Sequence, residues 1–243
     1  MNSTSTFDLT ILVPVFNAAD SLPSLFQAID GYKKSCTRRF CVLFIDDGSQ
    51  DKSLSLIRDY CMRVRDAYYI SLIKRSGLTG AMKAGMARVH SPYVAWADPL
   101  MRTDIRDLDK LFPEIHDAAL VCGERDFKKQ GAVRHLWERM LSSVRRLVTG
   151  DGLRDASCPI RLGRTDVLKA LPWFSGMHAF VPAFVTMSGN RVVAVEVSYR
   201  RIRHSRCPVL RMALTGICNL MVFLWMRRRY LDPAVGDGNL HGR

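Results

Sequence analysis

The sequence predicts an α/β fold, a mostly parallel sheet covered by helices, on three observations. Strand-like and helix-like segments alternate through the first half of the chain, the signature of repeated βαβ units. A chain of 243 residues, 48% of them hydrophobic, can bury one substantial core. Acidic and basic residues gather just after the predicted strands, at the carboxyl edge where open α/β sheets bind ligands.

The predicted strands are short apolar runs bounded by polar residues: Leu9–Val15, Phe40–Ile45, Tyr68–Ile73, Tyr93–Ala97 and Ala118–Cys122. Between them, Ser21–Tyr32, Asp51–Val64, Gly77–Val89 and Asp104–Phe112 carry the mixed apolar and polar spacing of helices with one covered face. From Ala132 the pattern becomes a long Arg-rich helix through Val148, followed by the loop Thr149 to Asp155. Two short helical pieces come next, the second at Gly176–Ser188, and then a strand at Val192–Tyr199.

The strand ends are chemically loaded. They read Pro14-Val15-Phe16-Asn17, Asp46-Asp47-Gly48-Ser49, Lys74-Arg75-Ser76-Gly77, then Asp98 before Pro99, and Gly123-Glu124-Arg125. Any one of these also reads as a turn or cap, and Asp47-Gly48-Ser49 with Asp51 could cap the second helix. Such ends in series at one edge point to a site.

Composition excludes several classes. Long Gly/Ser/Pro-rich stretches are absent, which rules out a mostly disordered chain. The seven Cys have no CxxC or Cys/His spacing and fall mostly in apolar runs, as core residues of a reducing compartment do. The start MNSTSTFDL lacks a basic n-region, so the catalytic part is expected in the cytosol. A net charge of +13 calls for an anionic partner: nucleic acid, phosphate ligands or a membrane surface. Nucleic acid is not expected, because no aromatic platforms interleave with the basic residues and no helix-turn-helix or zinc-finger pattern is present.

The C-terminal part is distinct. No acidic residue occurs from Val197 to Leu231, and Arg200, Arg201, Arg203, Arg206 and Arg211 precede an apolar run that Arg227, Arg228 and Arg229 close. That run, Met212 to Met226, has 15 residues, short of the roughly 20 that span a bilayer. Arg211, Thr215 and Asn219 form one narrow polar stripe on it. An interfacial helix at anionic headgroups and a helix packed on a domain or dimer both fit this pattern. The expected organisation is a catalytic domain over 1–207, this helix over 208–230 and a flexible tail over 231–243.

Taken together, ILVPVFNAAD, FIDDGSQDKS, RSGLTGAMKAGMARVHSPYVAWAD, VCGERDFKKQGA and LRDASCPIRLGRTDVLKAL resemble the family 2 glycosyltransferases of GT-A fold. Within that family they look most like the synthases that load sugars onto dolichyl or undecaprenyl phosphate. The resemblance covers roughly Leu9 to Tyr199 and implies a Rossmann-like GT-A domain, here followed by a basic, apolar C-terminal helix.

By that resemblance Pro14, Phe16 and Asn17 would line the nucleotide, with Phe16 where relatives usually carry Tyr. One of Asp46 and Asp47 would accept a hydrogen bond from the base. Gly48 and Ser49 would let the backbone approach, and Arg75 and Gly77 would sit at the donor pocket. Relatives end the fourth strand in Asp-x-Asp, which holds Mg²⁺ or Mn²⁺ on the donor diphosphate. Here Asp98 stands alone, Leu100 replaces the second carboxylate and Arg102 falls where relatives often carry Gln. Two consequences stay open: a weakened metal site at Asp98 supplemented by the charge of Arg102, or a degenerate site that binds donor without turnover.

On the acceptor side the resemblance assigns Arg125 and Arg161 to the phosphate. A polyprenyl phosphate is already anionic and needs no strong base, whereas a sugar hydroxyl would want one, for which Asp155 is the candidate. His178 in GMHAFVPAFV could face the acceptor, and Ala179 replaces a usual Arg. The implied activity is inverting transfer from a UDP- or GDP-sugar to a lipid-linked phosphate. The enzyme would sit peripherally on the inner face of the membrane, alone or with a separate integral membrane protein.

Overall fold

The computed structural model describes residues 7–125, 146, 148–155, 158–200 and 220–229. Four strands, β1 (Leu9–Val15), β2 (Phe40–Asp46), β3 (Ala67–Ser71) and β4 (Tyr93–Trp96), make a parallel half-sheet in the order β3-β2-β1-β4. Every residue of β2 is buried, as expected of a parallel strand covered on both faces. The crossovers run through α1 (Leu22–Ser35), α2 (Ser53–Arg63) and α3 (Gly77–Met86).

Helix α1 buries Leu22, Leu25, Ile29 and Tyr32, a spacing of three and four residues that keeps one face on the sheet. Between α1, α2 and β2, Phe26 stacks on Tyr60 at 4.1 Å, and both meet the edge of Phe44 at 5.6 and 5.8 Å. Helix α3 lies close against the sheet at Gly85, where a Cβ would come 3.0 Å from Ile45 Cδ1 and 3.2 Å from Leu12 Cδ2.

The second half reverses direction. β5 (Leu120–Arg125) and β6 (Arg161–Arg164) pair antiparallel, β6 also runs antiparallel to β4, and β7 (Val192–Val197) lies parallel to β5. The seven-stranded order is β3-β2-β1-β4-β6-β5-β7. A single α-turn, α4 (Leu108–Leu111), sits between 3-10 turns at Ile105–Asp107 and Phe112–His116. After β6 come α5 (Thr165–Ala170), a 3-10 turn at Met177–Ala179 and α6 (Val181–Met187).

Several elements differ from the sequence reading. β6 was not expected, because its four residues Arg-Leu-Gly-Arg present no apolar run. β3 stops at Ser71, the last residue paired with β2, and Ile73 beyond it is fully exposed. β5 starts two residues later than expected and runs on to Arg125, held by pairing with β7. The helix expected at Asp104–Phe112 is divided into 3-10 and α turns, with Pro113 at the start of the last.

The Arg-rich helix expected from Ala132 through Val148 lies outside the described residues, apart from helical positions 146 and 148. The five described cysteines are free, and burial pushes the Cys158 thiol up to about 12. The chain divides into two compact units, Met1–Ser205 and Arg206–Arg243. In the second, residues 220–227 are helical, and Met221, Val222, Leu224 and Trp225 are exposed. Arg229 lies over the Trp225 ring at 4.9 Å. Arg211, Thr215 and Asn219 fall outside the described residues.

Candidate functional site

The carboxyl ends of β1, β2 and β3 are tied into one surface by side chains bonded to backbone. The Asp47 carboxylate accepts from the amides of Ser76 at 2.6 Å and Gly77 at 2.8 Å, which fastens the entry of α3. Asp46 accepts from Ser49 N at 3.3 Å and Ser71 Oγ at 3.1 Å. Asn17 N donates to Ser49 Oγ at 3.0 Å, and Asn17 Oδ1 accepts from Gln50 N at 2.8 Å.

Close approach of these loops needs glycine at one point. Gly48 has φ +72, and a Cβ there would lie 3.1 Å from Arg75 N. That juxtaposition brings the Arg75 guanidinium over the Phe16 ring at 4.0 Å. Pro14, Phe16, Asn17, Asp46, Asp47, Gly48, Ser49, Arg75 and Gly77 are thus brought to one edge. Both acids are buried and internally bonded, so the geometry does not single out one of them for a base.

After β4, the chain wraps around Asp98. Its Oδ2 accepts from Arg102 Nε at 2.6 Å and Arg102 N at 3.1 Å; its Oδ1 accepts from Arg102 Nη2 at 3.1 Å and Leu100 N at 3.2 Å. Met101 takes a left-handed φ of 55 to make this wrap, a conformation rare for a residue with a Cβ. A carboxylate offers about four acceptor positions, and here all are taken. The neighbour two residues on is Leu100, which has no oxygen to offer. Among the described residues no group of three or more His, Cys, Asp or Glu stands where it could hold a metal. The residues at Asp98 therefore do not fit a divalent cation.

On the other half-sheet, Arg125 at the end of β5 holds Asp155 with Nε to Oδ2 at 2.5 Å and Nη2 to Oδ1 at 2.7 Å. The Arg125 side chain is 11% exposed and that of Asp155 2%. Arg125 also lies 5.1 Å from the Tyr199 ring. Arg161 is buried, donates to the carbonyls of Cys158 at 3.3 Å and His178 at 2.9 Å, and lies over Trp96 at 4.9 Å. His178 Nδ1 is 2.9 Å from Thr79 Oγ1. Burial, and then the Arg161 charge, push His178 down to about 4.

Arg125 and Asp155 thus meet each other, and Arg161 braces the chain from inside. Trp96, Thr79 and Tyr199 support these groups, and the sequence reading gave none of them a role. Arg161 reaches Trp96, Arg125 reaches Tyr199 and His178 reaches Thr79 only once the sheet is assembled. A cavity of about 690 Å³ lies at the opposite edge, beside the start of β4, lined in part by His90, His116, Arg164 and Lys169. It is a strand's length from the groups above and is not their crevice.

A parallel half-sheet with its loaded carboxyl edge, continued by antiparallel β6, is the architecture of a GT-A glycosyltransferase. The chain belongs to glycosyl transferase family 2, whose model matches residues 10–171. It is 27% identical over 203 residues to a dodecaprenyl-phosphate galacturonate synthase of Rhizobium johnstonii, covering 81% of this chain and 60% of that protein. It is 22% identical over 215 residues to an undecaprenyl-phosphate 4-deoxy-4-formamido-L-arabinose transferase of Edwardsiella ictaluri, covering 88% and 65%. The chain thus spans about three fifths of the length of these curated relatives.

Among solved structures, mannosyl-3-phosphoglycerate synthase from Rubrobacter xylanophilus superposes with a TM-score of 0.71 at 14% identity, over 96% of this chain and 79% of that one. Glucosyl-3-phosphoglycerate synthase from Mycobacterium tuberculosis, in complex with Mn²⁺, uridine-diphosphate and glucosyl-3-phosphoglycerate, gives 0.67 at 16%, over 92% and 80%. At such identities the likeness is one of fold.

Proposed function

We propose that this chain transfers a sugar from a UDP- or GDP-sugar to a lipid-linked polyprenyl phosphate at the cytosolic surface of a membrane, inverting the anomeric centre. The observation that carries this reading is the Arg125–Asp155 pair. The carboxylate a hydroxyl acceptor would use as base is already bound by a guanidinium, whereas a phosphate acceptor arrives ionised and needs orientation more than deprotonation. The names of the curated relatives, synthases and transferases of polyprenyl-phosphate sugars, agree in acceptor class.

In the proposed reaction a non-bridging oxygen of the acceptor phosphate attacks the anomeric carbon. The bond from that carbon to the donor diphosphate breaks, and the nucleoside diphosphate leaves with the electron pair. Pro14, Phe16, Asn17 and one of Asp46 and Asp47 hold the nucleoside, while Gly48, Ser49, Arg75 and Gly77 form the pocket floor. Arg125 orients the acceptor side, and Arg161 keeps that region in place from within.

Membrane-surface placement is supported by the exposed Met221, Val222, Leu224 and Trp225 beside Arg227, Arg228 and Arg229, the composition of an interfacial helix. No helix among the described residues is long and apolar enough to cross a membrane. A separate integral membrane protein remains part of the proposal as a partner for the lipid substrate.

A second reading, donor binding without turnover, is favoured by Leu100 alone. One assay separates the two: UDP- and GDP-sugars are offered with undecaprenyl phosphate or with undecaprenol lacking the phosphate. We expect a product of inverted configuration with the phosphate only. Transfer to hydroxyl acceptors but not to phosphate would overturn the acceptor assignment, and donor binding with no transfer would establish the second reading.

A further inference from the structure

We infer that the Arg102 guanidinium, seated on Asp98, takes the place of a divalent cation at the donor diphosphate and makes this a metal-independent site. The inference rests on the proposal that the strand-end crevice binds a nucleoside diphosphate. Three features of the structure lead to it.

First, the site carries its own cation in a fixed position. Arg102 meets Asp98 through Nε and Nη2, and the Leu100 and Arg102 amides fill the remaining acceptor positions of the carboxylate. A dication on two carboxylates and a guanidinium on one carboxylate are both neutral. Leu100 and Arg102 together thus keep the charge balance that an anionic ligand would meet.

Second, the fork faces two ways. The Asp98 side chain is 1% exposed and that of Arg102 39%. Two N–H groups are directed to the carboxylate, and the three others, both on Nη1 and one on Nη2, have no partner among the described residues. Guanidinium groups match phosphate oxygens in just this planar, multidentate way.

Third, the position is held against alternatives. Met101 adopts a left-handed backbone at φ 55, and Arg200 N donates to Arg102 O at 2.7 Å, clamping the turn to the end of β7. The turn is therefore fixed at both its backbone and its side chain. Negative charge builds on the nucleoside diphosphate as the glycosidic bond breaks, and donors fixed in advance at that point stabilise it.

The test is calorimetric titration of UDP and of GDP into the full chain with EDTA and with Mn²⁺, followed by transfer assays under the same conditions. For the wild type we expect dissociation constants that agree within about twofold in the two buffers, and transfer that survives EDTA. Arg102→Gln should weaken nucleotide binding in EDTA by about tenfold or more. Mn²⁺ should restore part of that loss, because the two acceptor positions that the guanidinium held on Asp98 are then free. Arg102→Lys, which keeps charge without the fork, should fall between the two.

Wild-type binding or transfer only with Mn²⁺ would overturn the inference and leave the proposed function standing. So would an Arg102→Gln variant that binds as tightly as wild type in EDTA. If neither nucleotide binds in either buffer, the donor reading itself fails, and the inference with it. The wild-type arm requires no variant to fold.

Discussion

Among the described residues, three arginine–aspartate pairs are joined through both Nε and Nη2 and differ in how much water reaches them. In Arg125–Asp155, Arg102–Asp98 and Arg106–Asp104 an Nε and an Nη2 both bond the partner carboxylate. The arginine side chains are 11%, 39% and 71% exposed, in that order. The carboxylates of the first two are sealed, at 2% and 1%, and that of the third is open at 31%. A fork closed on both sides holds its neighbours in position. One closed behind and open in front presents a fixed cation to a ligand, and one open on both sides competes with water throughout.

The largest effect is expected at the closed fork. Asp155→Ala takes the bidentate carboxylate from the Arg125 guanidinium where little water reaches it, which costs about 3–5 kcal/mol. In a chain of this size that lowers the melting temperature by roughly 10 °C. Replacing both partners, Arg125→Met with Asp155→Leu, should recover much of the loss, since matched apolar groups avoid the stranded charge. A stability loss at Asp155→Ala no larger than at the exposed fork would remove the ranking by exposure.

Next in size is a pH effect from Arg161, the arginine whose charge acts on a neighbour. His178 is held neutral, with its pKa lowered to about 4 by burial first and the Arg161 charge second. In the unfolded chain the same ring titrates near the ordinary value of about 6.5. The unfolded state therefore binds more protons between these values. The stability associated with neutral His178 is complete above pH 6.5 and is lost as pH falls through 4, by no more than about 3 kcal/mol. His178→Asn, which can still meet Thr79 Oγ1, should flatten the stability profile in that window. An unchanged slope would mean that the fold does not hold His178 neutral in that window.

Much of the parallel half was legible in the sequence, because β1, β2 and β4 are nearly continuous apolar runs without the alternation of a half-exposed strand. Their loaded ends were legible for the same reason, since a polar cluster after such a run stands out. β6 was not, because two of its four residues are arginines, and its strand character comes from lying between β4 and β5. The roles of the arginines were only half visible. Arg102 and Asp98 were placed at one site by their nearness in the chain, though not as a pair, whereas Arg125 and Asp155 are thirty residues apart and meet only through tertiary structure. The short run of Asp98, Leu100 and Arg102 shows what is missing from a metal site, but the filled carboxylate is a property of the folded turn.

The smallest expected effect lies at the open fork, and it is the control for the other two. Arg106→Ala removes a guanidinium that is mostly in water, so the thermal midpoint should stay within the scatter of repeat melts. Asp104→Ala should cost more, about 1 kcal/mol, because Asp104 Oδ1 also accepts from the Arg106 amide at 3.0 Å and so caps the 3-10 turn. The difference between the two variants should persist in 1 M salt, where exposed ion pairs are screened and a cap to the backbone is not. If Arg106→Ala destabilised the chain as much as Asp104→Ala, an exposed fork would be a structural clasp after all. Exposure would then no longer separate clasp from ligand platform, and the open face of Arg102 would lose its meaning as a place for a diphosphate.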